Sequence, residues 1–304
     1  MSTVITAAAS ATPLPGETTA SVRLAGAAAR DCLTRAGLSP DAIGTLINVG
    51  VYREQNTTEP AMAALVQKEA GINLDHLLAP DAAPAFSFDL MNGACGLLNA
   101  VQAAGALLST GSTDRVLVTA ADTHPGGRAA DDPAYPYADL GAALLLERSS
   151  EPDAGFGPVR FATARGPVGG AGYLDTATMG TEGRRRITVE RDADWAQRLV
   201  ELAAETAADY LRAEGLDPAR TRLVCNRPAP GFAAAVAARL GMPPQAPAVE
   251  SVDDRAPHTA ALVLDYLRAV EQEPPAGHDH LLFVCAGAGL SAGCVSYRPV
   301  AVTS

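Results

Sequence analysis

From Gly96 onward the chain reads LLNAVQAAGALLSTG, with apolar or small side chains on almost every face of a helix. A helix that is apolar all round has to be enclosed by core, so whatever fold this chain adopts must bury this segment. Just before it, residues 85 to 90, AFSFDL, alternate small, aromatic and polar side chains as a partly buried strand does, and Asn92 and Gly93 supply a tight turn. Cys95 stands between turn and helix, flanked by Gly93, Ala94 and Gly96. At the N-terminus of a buried helix, unpaired backbone N–H groups and the positive end of the dipole favour thiolate over thiol, which lowers the cysteine pKa and makes the sulfur nucleophilic. The small neighbours leave room for a substrate carbonyl. The alternative is that Cys95 only fills space, since cysteine is among the most buried residue types.

The rest of the chain alternates helix and strand. Residues 20 to 36 show helical spacing and stop at Gly37, as a C-cap should. AIGTLINVGVY at 42 to 52 reads as a strand, and a second helix opens at Thr58, Glu59 and Pro60, with Thr58 as N-cap, and runs to about Ala70. Strands follow at 114 to 121 and 140 to 147, separated by a polar loop. In the second half a long helix from about Ala193 to Ala213 turns Trp195, Leu199, Leu202, Ala203 and Tyr210 inward. The strand TRLVCN at 221 to 226, a helix at about 231 to 240, an extended piece APAVES at 246 to 251, a helix from about Pro257 to Val270 and closing strands at 280 to 287 and 291 to 298 complete it. This weak internal repetition, with strands joined by crossover helices, argues an α/β layered fold.

Composition narrows the function classes. The 304 residues are 48% hydrophobic, enough for a large core in two domains or one large duplicated one. A net charge of -11 disfavours a nucleic-acid partner, and no basic run suggests a membrane surface. The N-terminus has neither the charged nor the apolar region of a signal peptide. LLFVCAGAGL at 281 to 290 is too short to span a bilayer. The cysteines number five, an odd count, and Cys32, Cys225, Cys285 and Cys294 lie in apolar contexts without metal-ligand spacing. A cytoplasmic protein with reduced thiols and no metal is expected. GPVGGAG in the 165 to 192 loop is the one glycine cluster that could hold a nucleotide, and no convincing helix follows it.

The Cys95 stretch resembles the nucleophile elbow of the thiolase superfamily, most closely its ketosynthase III branch, the β-ketoacyl-acyl carrier protein synthase III family. The resemblance covers about residues 20 to 298 and is strongest at 85 to 121 and 281 to 298. It implies a duplicated thiolase-like five-layer αβαβα fold, with an N-terminal half at 1–150 and a C-terminal half at 151–304. Asp139-Leu140-Gly141 looks like an altered copy of the family's aspartate-glycine step. The family places a His at the head of a His-Gln-Ala-Asn motif and an Asn before a later helix. Anchored on Leu240-Gly241-Met242, that His position falls on Asn226, and anchored on Thr259-Ala260-Ala261 the Asn position falls at or next to His258. The resemblance therefore implies a catalytic set of Cys95, Asn226 and His258, with the last two swapped. AGAGLSAG at 286 to 293 resembles the family's glycine-rich loop, which makes the backbone N–H groups of Cys95 and Ala288 the expected oxyanion hole.

The swap bears on chemistry. In the family, His and Asn together hold a malonyl thioester carbonyl while it loses carbon dioxide. A His258 at a helix start, where the dipole disfavours imidazolium, is expected to be neutral and able to deprotonate an incoming alcohol, amine or thiol. This favours acyl transfer through an acyl-Cys95 thioester over decarboxylative condensation. A non-catalytic partner subunit and a thioester hydrolase stay open. So do plainer readings: Asn226 as a turn residue, His258 as a solvated helix-start residue, and His76, His124, His278 and His280 as surface histidines. The family's segment that clasps coenzyme A has no counterpart before Ser21, and the only tryptophan is Trp195. The donor is thus an acyl-coenzyme A or an acyl carrier protein, with no further cofactor. Arg184, Arg185 and Arg186 could meet a phosphopantetheine or an acidic carrier, or be solvated charge. The family habitually dimerises through the sheet edge beside the elbow helix, so a homodimer or a pairing with a related chain is expected.

Overall fold

The computed structural model describes residues 2–14, 16–74, 84–151, 153–177, 180, 183–243, 255–271, 277–287 and 289–300. In chain order the elements are β1 (Thr3–Ala11), α1 (Ser21–Ala36), β2 (Thr45–Asn48), α2 (Met62–Ala70), β3 (Phe86–Asp89), α3 (Gly96–Ser109), β4 (Arg115–Asp122) and β5 (Leu140–Arg148). The second half continues with β6 (Gly155–Phe156), β7 (Arg160–Thr163), β8 (Gly170–Tyr173), β9 (Thr188–Arg191), α4 (Trp195–Glu214), β10 (Thr221–Cys225), α5 (Phe232–Arg239), α6 (Ala261–Glu271), β11 (His280–Gly287) and β12 (Ser291–Arg298).

Two mixed sheets carry the fold. The first has the order β1-β5-β4-β2-β3, and the second β10-β11-β12-β6, with β7 also paired to β12. In the first, β1/β5 and β5/β4 are antiparallel while β4/β2 and β2/β3 are parallel. In the second, β6 and β7 run antiparallel to β12 and β12 antiparallel to β11, whereas β11 and β10 are parallel. Read from one edge inward, the two sheets repeat the same pattern of directions. This is the duplicated architecture the internal repetition implied.

Side-chain alternation explains the layering. Along β4, Val116, Val118 and Ala120 face one core while Leu117 and Ala121 face another, and along β11, Leu281, Phe283 and Cys285 face that same central core while Leu282, Val284 and Ala286 turn away. Both faces of each strand are buried, which is why these strands read as continuous apolar runs. The central core holds α3 and α6 between the sheets; α1 and α2 cover the outer face of the first sheet, and α4 and α5 that of the second. The result is five layers, αβαβα, with the apolar α3 in the middle one.

Several sequence expectations are corrected. β1 has no counterpart among the expected strands: TVITAAASA is rich in alanine, and its strand state comes from pairing with β5. The second helix starts at Met62, not Thr58, and its first amides are capped by the Asp89 carboxylate, with Met62 N at 2.8 Å and Ala63 N at 3.0 Å. APAVES lies outside the described residues. Gly37 does end α1 in the left-handed conformation, φ 65°.

Candidate active site

Cys95 closes a single 3-10 turn, Gly93–Cys95, and is the N-cap residue of α3. The turn is pressed against the end of β11: a Cβ on Gly287 would lie 3.2 Å from Ala94 Cβ and 3.4 Å from Ala94 N, so only glycine fits without displacement. The Cys95 thiol is 1% exposed and its Sγ is 3.9 Å from the Ser291 carbonyl oxygen. Cys285, fully buried, is its sulfur neighbour. Burial, and then the hydrogen bond with Cys95, pushes the Cys285 thiol well above its ordinary range. All five cysteines are free and buried. The Cys95 N–H donates to Asn92 O at 3.0 Å, so one of the two expected oxyanion donors already has an acceptor. Ala288, the other, lies outside the described residues.

His258 is 8% exposed and sits three residues before α6, which begins at Ala261. Asp122 faces the ring, its Oδ1 lying 3.4 Å from His258 Nδ1. Asp122 ends β4 and is 1% exposed. Its Oδ1 also accepts from the Val51 and Tyr52 amides at 3.1 and 2.9 Å, and its Oδ2 from the Thr259 amide at 2.9 Å and the Thr259 hydroxyl. Burial raises the carboxyl, but the His258 imidazole and these hydrogen bonds outweigh it and hold Asp122 below its usual range. The carboxylate beside Nδ1 orients the ring. Tyr52 and Tyr137 flank the ring, with centroids 5.1 and 4.3 Å away. Asp122 is a site residue that sequence reasoning missed; the signal available was an acidic residue ending an apolar strand ahead of a polar loop.

Loop 49–52 connects the two groups. Val49 packs in the same core cluster as Cys95 and would stand 3.2 Å from a Cβ on Gly96, and two residues later the Val51 and Tyr52 amides bind the carboxylate that holds His258. Asn226, 2% exposed, is locked to β11: its Nδ2 donates to Ala286 O at 2.7 Å and its Oδ1 accepts from Ala286 N at 2.9 Å. It extends the β10/β11 ladder by one side-chain pair beside Cys285. Arg184, Arg185 and Arg186 are exposed, and Asn56 Nδ2 donates to the Arg184 and Arg186 carbonyls at 2.9 and 2.8 Å.

The other histidines divide. His124, expected at the surface, is instead 6% exposed, with Nε2 3.2 Å from Asp132 Oδ2 and Nδ1 accepting from Gly126 N at 3.0 Å. His278 and His280 are half-buried rather than exposed, and His76 lies outside the described residues. Among the described residues no cluster of three or more His, Cys, Asp or Glu side chains could hold a metal. No helix among them is long and apolar enough to cross a membrane.

Two sheets enclosing a central helix layer, with a cysteine at the head of the central helix, define a five-layer thiolase fold. No protein-family profile matches the chain. Over 208 residues it is 31% identical to the β-ketoacyl-[acyl-carrier-protein] synthase III of Cereibacter sphaeroides, a stretch that spans 64% of this chain and 60% of that relative. In structure it is similar to the priming β-ketosynthase of a polyketide biosynthetic pathway, with a TM-score of 0.79 and 19% identity over 98% of this chain and 96% of the other. It is also similar to the 3-oxoacyl-(acyl carrier protein) synthase III of Pseudomonas aeruginosa, TM-score 0.72 and 19% identity over the full length of both. A tetronic acid condensing enzyme aligns at TM-score 0.75 and 19% identity over 97% of this chain and 100% of its own.

Proposed function

We propose that this chain is an acyl-transferring enzyme: Cys95 takes an acyl group from an acyl-coenzyme A or acyl-carrier-protein thioester, and His258 hands it to an acceptor alcohol, amine or thiol. In the first half-reaction the Cys95 sulfur attacks the donor carbonyl and the carrier thiol leaves. In the second, His258 Nε2 removes the acceptor proton as the acceptor attacks the acyl-Cys95 carbonyl, the C–S bond breaks, and the sulfur regains a proton. The observation that carries this reading is the His258–Asp122 pair, an imidazole whose Nδ1 lies 3.4 Å from a buried carboxylate. The engagement of the Asn226 amide with Ala286 supports transfer over decarboxylative condensation, which needs two donors on an enolate oxygen. An oxyanion hole formed by Cys95 and Ala288 requires the Cys95 N–H to share its bond to Asn92.

Intact-mass measurement after incubation with a set of acyl-coenzyme A and acyl-carrier-protein donors tests the reading. An acyl adduct absent from Cys95→Ala, and discharged only when an acceptor is added, is the expected result. His258→Ala should keep part of the loading and slow discharge. Discharge into water alone makes the chain a thioester hydrolase, and carbon dioxide release from malonyl thioesters makes it a condensing 3-oxoacyl synthase. A second reading, a non-catalytic subunit paired with an active relative, is favoured by the burial of Cys95, 1% exposed. No adduct with any donor selects it.

The exposed Arg184, Arg185 and Arg186 would contact an acidic carrier protein. The repeated sheet pattern supports two halves, 1–150 and 151–304, meeting between β5 and β6. β3, at an open sheet edge with Phe86 60% exposed, would be the seam of a homodimer or of a heterodimer with a related chain.

A further inference from the structure

We propose that Cys285 is a resolving thiol for Cys95: once a peroxide has oxidised the Cys95 sulfur to a sulfenic acid, Cys285 condenses with it to a reversible disulfide. Of the five cysteines only these two belong to the central core, whereas Cys32 lies in the core outside the first sheet and Cys225 and Cys294 in the core outside the second. The β11/β12 ladder brings them together. Cys285 pairs with Gly293 and Gly287 with Ser291, and side chains two residues apart on a strand share a face. The Gly93–Cys95 turn lies on that face, with Ala94 against Gly287 and the Cys95 Sγ 3.9 Å from the Ser291 carbonyl oxygen. Opposite Cys285, Gly293 carries no side chain, and a Cβ there would stand 3.1 Å from the Cys285 Sγ. Burial, and then the hydrogen bond between the two sulfurs, keeps Cys285 a thiol.

Acyl transfer gives Cys285 nothing to do, and oxidation gives each sulfur a separate part. A buried thiol is a poor partner for peroxide, so Cys285, inside β11, is the second to react and Cys95, at the end of its turn, the first. The Cys95 sulfur attacks one oxygen of hydrogen peroxide. The O–O bond breaks, the sulfur takes a hydroxyl group, and its own proton leaves with the other oxygen as water. The Cys285 sulfur then attacks the Cys95 sulfur, an S–S bond forms, the S–O bond breaks, and the hydroxyl departs with the Cys285 proton as a second water. Two thiols lose two electrons in all, and these reduce one peroxide to two waters. With no second thiol beside it, a sulfenic acid goes on to sulfinic acid, which thiol reductants do not reverse. The disulfide closes that route and keeps Cys95 recoverable. This inference goes beyond acyl transfer and shares with it only the need for a path to the Cys95 sulfur, and peroxide is smaller than any acyl donor.

The test treats the reduced full chain with hydrogen peroxide, unfolds it in iodoacetamide and maps the peptides by mass spectrometry. Wild type should lose two alkylatable thiols and yield a linked Cys95–Cys285 peptide that dithiothreitol separates. Native Cys95 should then regain its reactivity toward iodoacetamide. In Cys285→Ser the link is absent, Cys95 ends two oxygens heavier, and dithiothreitol restores none of that reactivity. Cys32→Ser, in a different core, should behave as wild type. A wild type that stays fully reduced, a Cys95 sulfinate without the link, or a link between any other pair overturns the proposal. Should Cys285→Ser fail to fold, the wild-type map alone decides. A Cys95 that links to Cys285 yet never takes an acyl group leaves the disulfide standing and removes acyl transfer, whereas acylation without a link does the reverse.

Discussion

Asp122 is the residue on which two strand ends and a helix approach converge, because one carboxylate accepts from Val51, Tyr52, His258 and Thr259 at once. Asp122→Asn keeps the shape but can no longer hold the His258 ring by an ionic hydrogen bond, and loss of correct proton transfer costs about a hundredfold or more in rate. Discharge of acyl-Cys95 should therefore fall by about that factor while loading changes much less, which single-turnover mass spectrometry reads directly. The same residue gives a pH dependence. Folding lowers its pKa from the ordinary 3.8, so its contribution to stability is fully present above 3.8 and is lost as pH falls through the lower folded value. At pH 7 Asp122→Asn should be less stable by about 1–3 kcal/mol, the scale of leaving buried hydrogen-bond donors without their carboxylate acceptor. That gap should close in acid, as chemical denaturation at stepped pH would show. Cys95 stands out from a local pattern, a glycine-flanked elbow, whereas His258 comes only through the family resemblance anchored on Thr259-Ala260-Ala261. Asp122 was not legible, because its role exists only where segments 51–52 and 258–259 meet it in space.

At the scale of elements, two short contacts set the geometry around the elbow. The Asp89 carboxylate caps α2 and also accepts from Asn48 Nδ2 at 2.8 Å, so it fastens β3, β2 and α2 at one point. Asp89→Ala should cost about 1–2 kcal/mol, the scale of a lost cap, measured as a lower urea midpoint at unchanged slope. Thr58 looked like the cap because a Thr-Glu-Pro sequence carries the usual local signal. The actual cap comes from a strand 27 residues further on, a pairing no local pattern encodes. Gly287 makes the second contact. Gly287→Ala has to push the Gly93–Cys95 turn back by a few tenths of an ångström, with an overpacking cost of about 1–3 kcal/mol. Thermal melting should show a folded but less stable protein, and acylation of Cys95 should slow by more than the loss of stability explains. Strands β11 and β12 match the expected ranges to the residue, because both faces are buried and turn residues bound them, whereas β1 depends on its partner and showed no such signal.

For the whole molecule, a net charge of -11 bears on the proposed pairing with a second copy. Among the described residues β3 is an edge of the first sheet, where Phe86 is 60% exposed with its ring centroid 5.2 Å from that of Phe88, and Met91 just beyond it is 57% exposed. An unpaired edge with exposed apolar side chains is a template for a second strand, and addition of β3 from a copy would extend the first sheet across both subunits. Two such copies repel over their whole surfaces, and salt screens that repulsion within about 8 Å at physiological ionic strength. Apolar burial at the seam is hardly touched by moderate salt, so the balance shifts in one direction only. Sedimentation velocity should show a dimer that tightens as sodium chloride rises from about 20 to 200 mM, over which the Debye length falls about threefold. Phe86→Glu, which puts two further negative charges into the seam and removes its exposed ring, should be monomeric at both salt concentrations with an unchanged far-ultraviolet circular dichroism spectrum. A dimer that loosens with salt would mean that charge pairs hold the copies together, and would locate the interface away from β3.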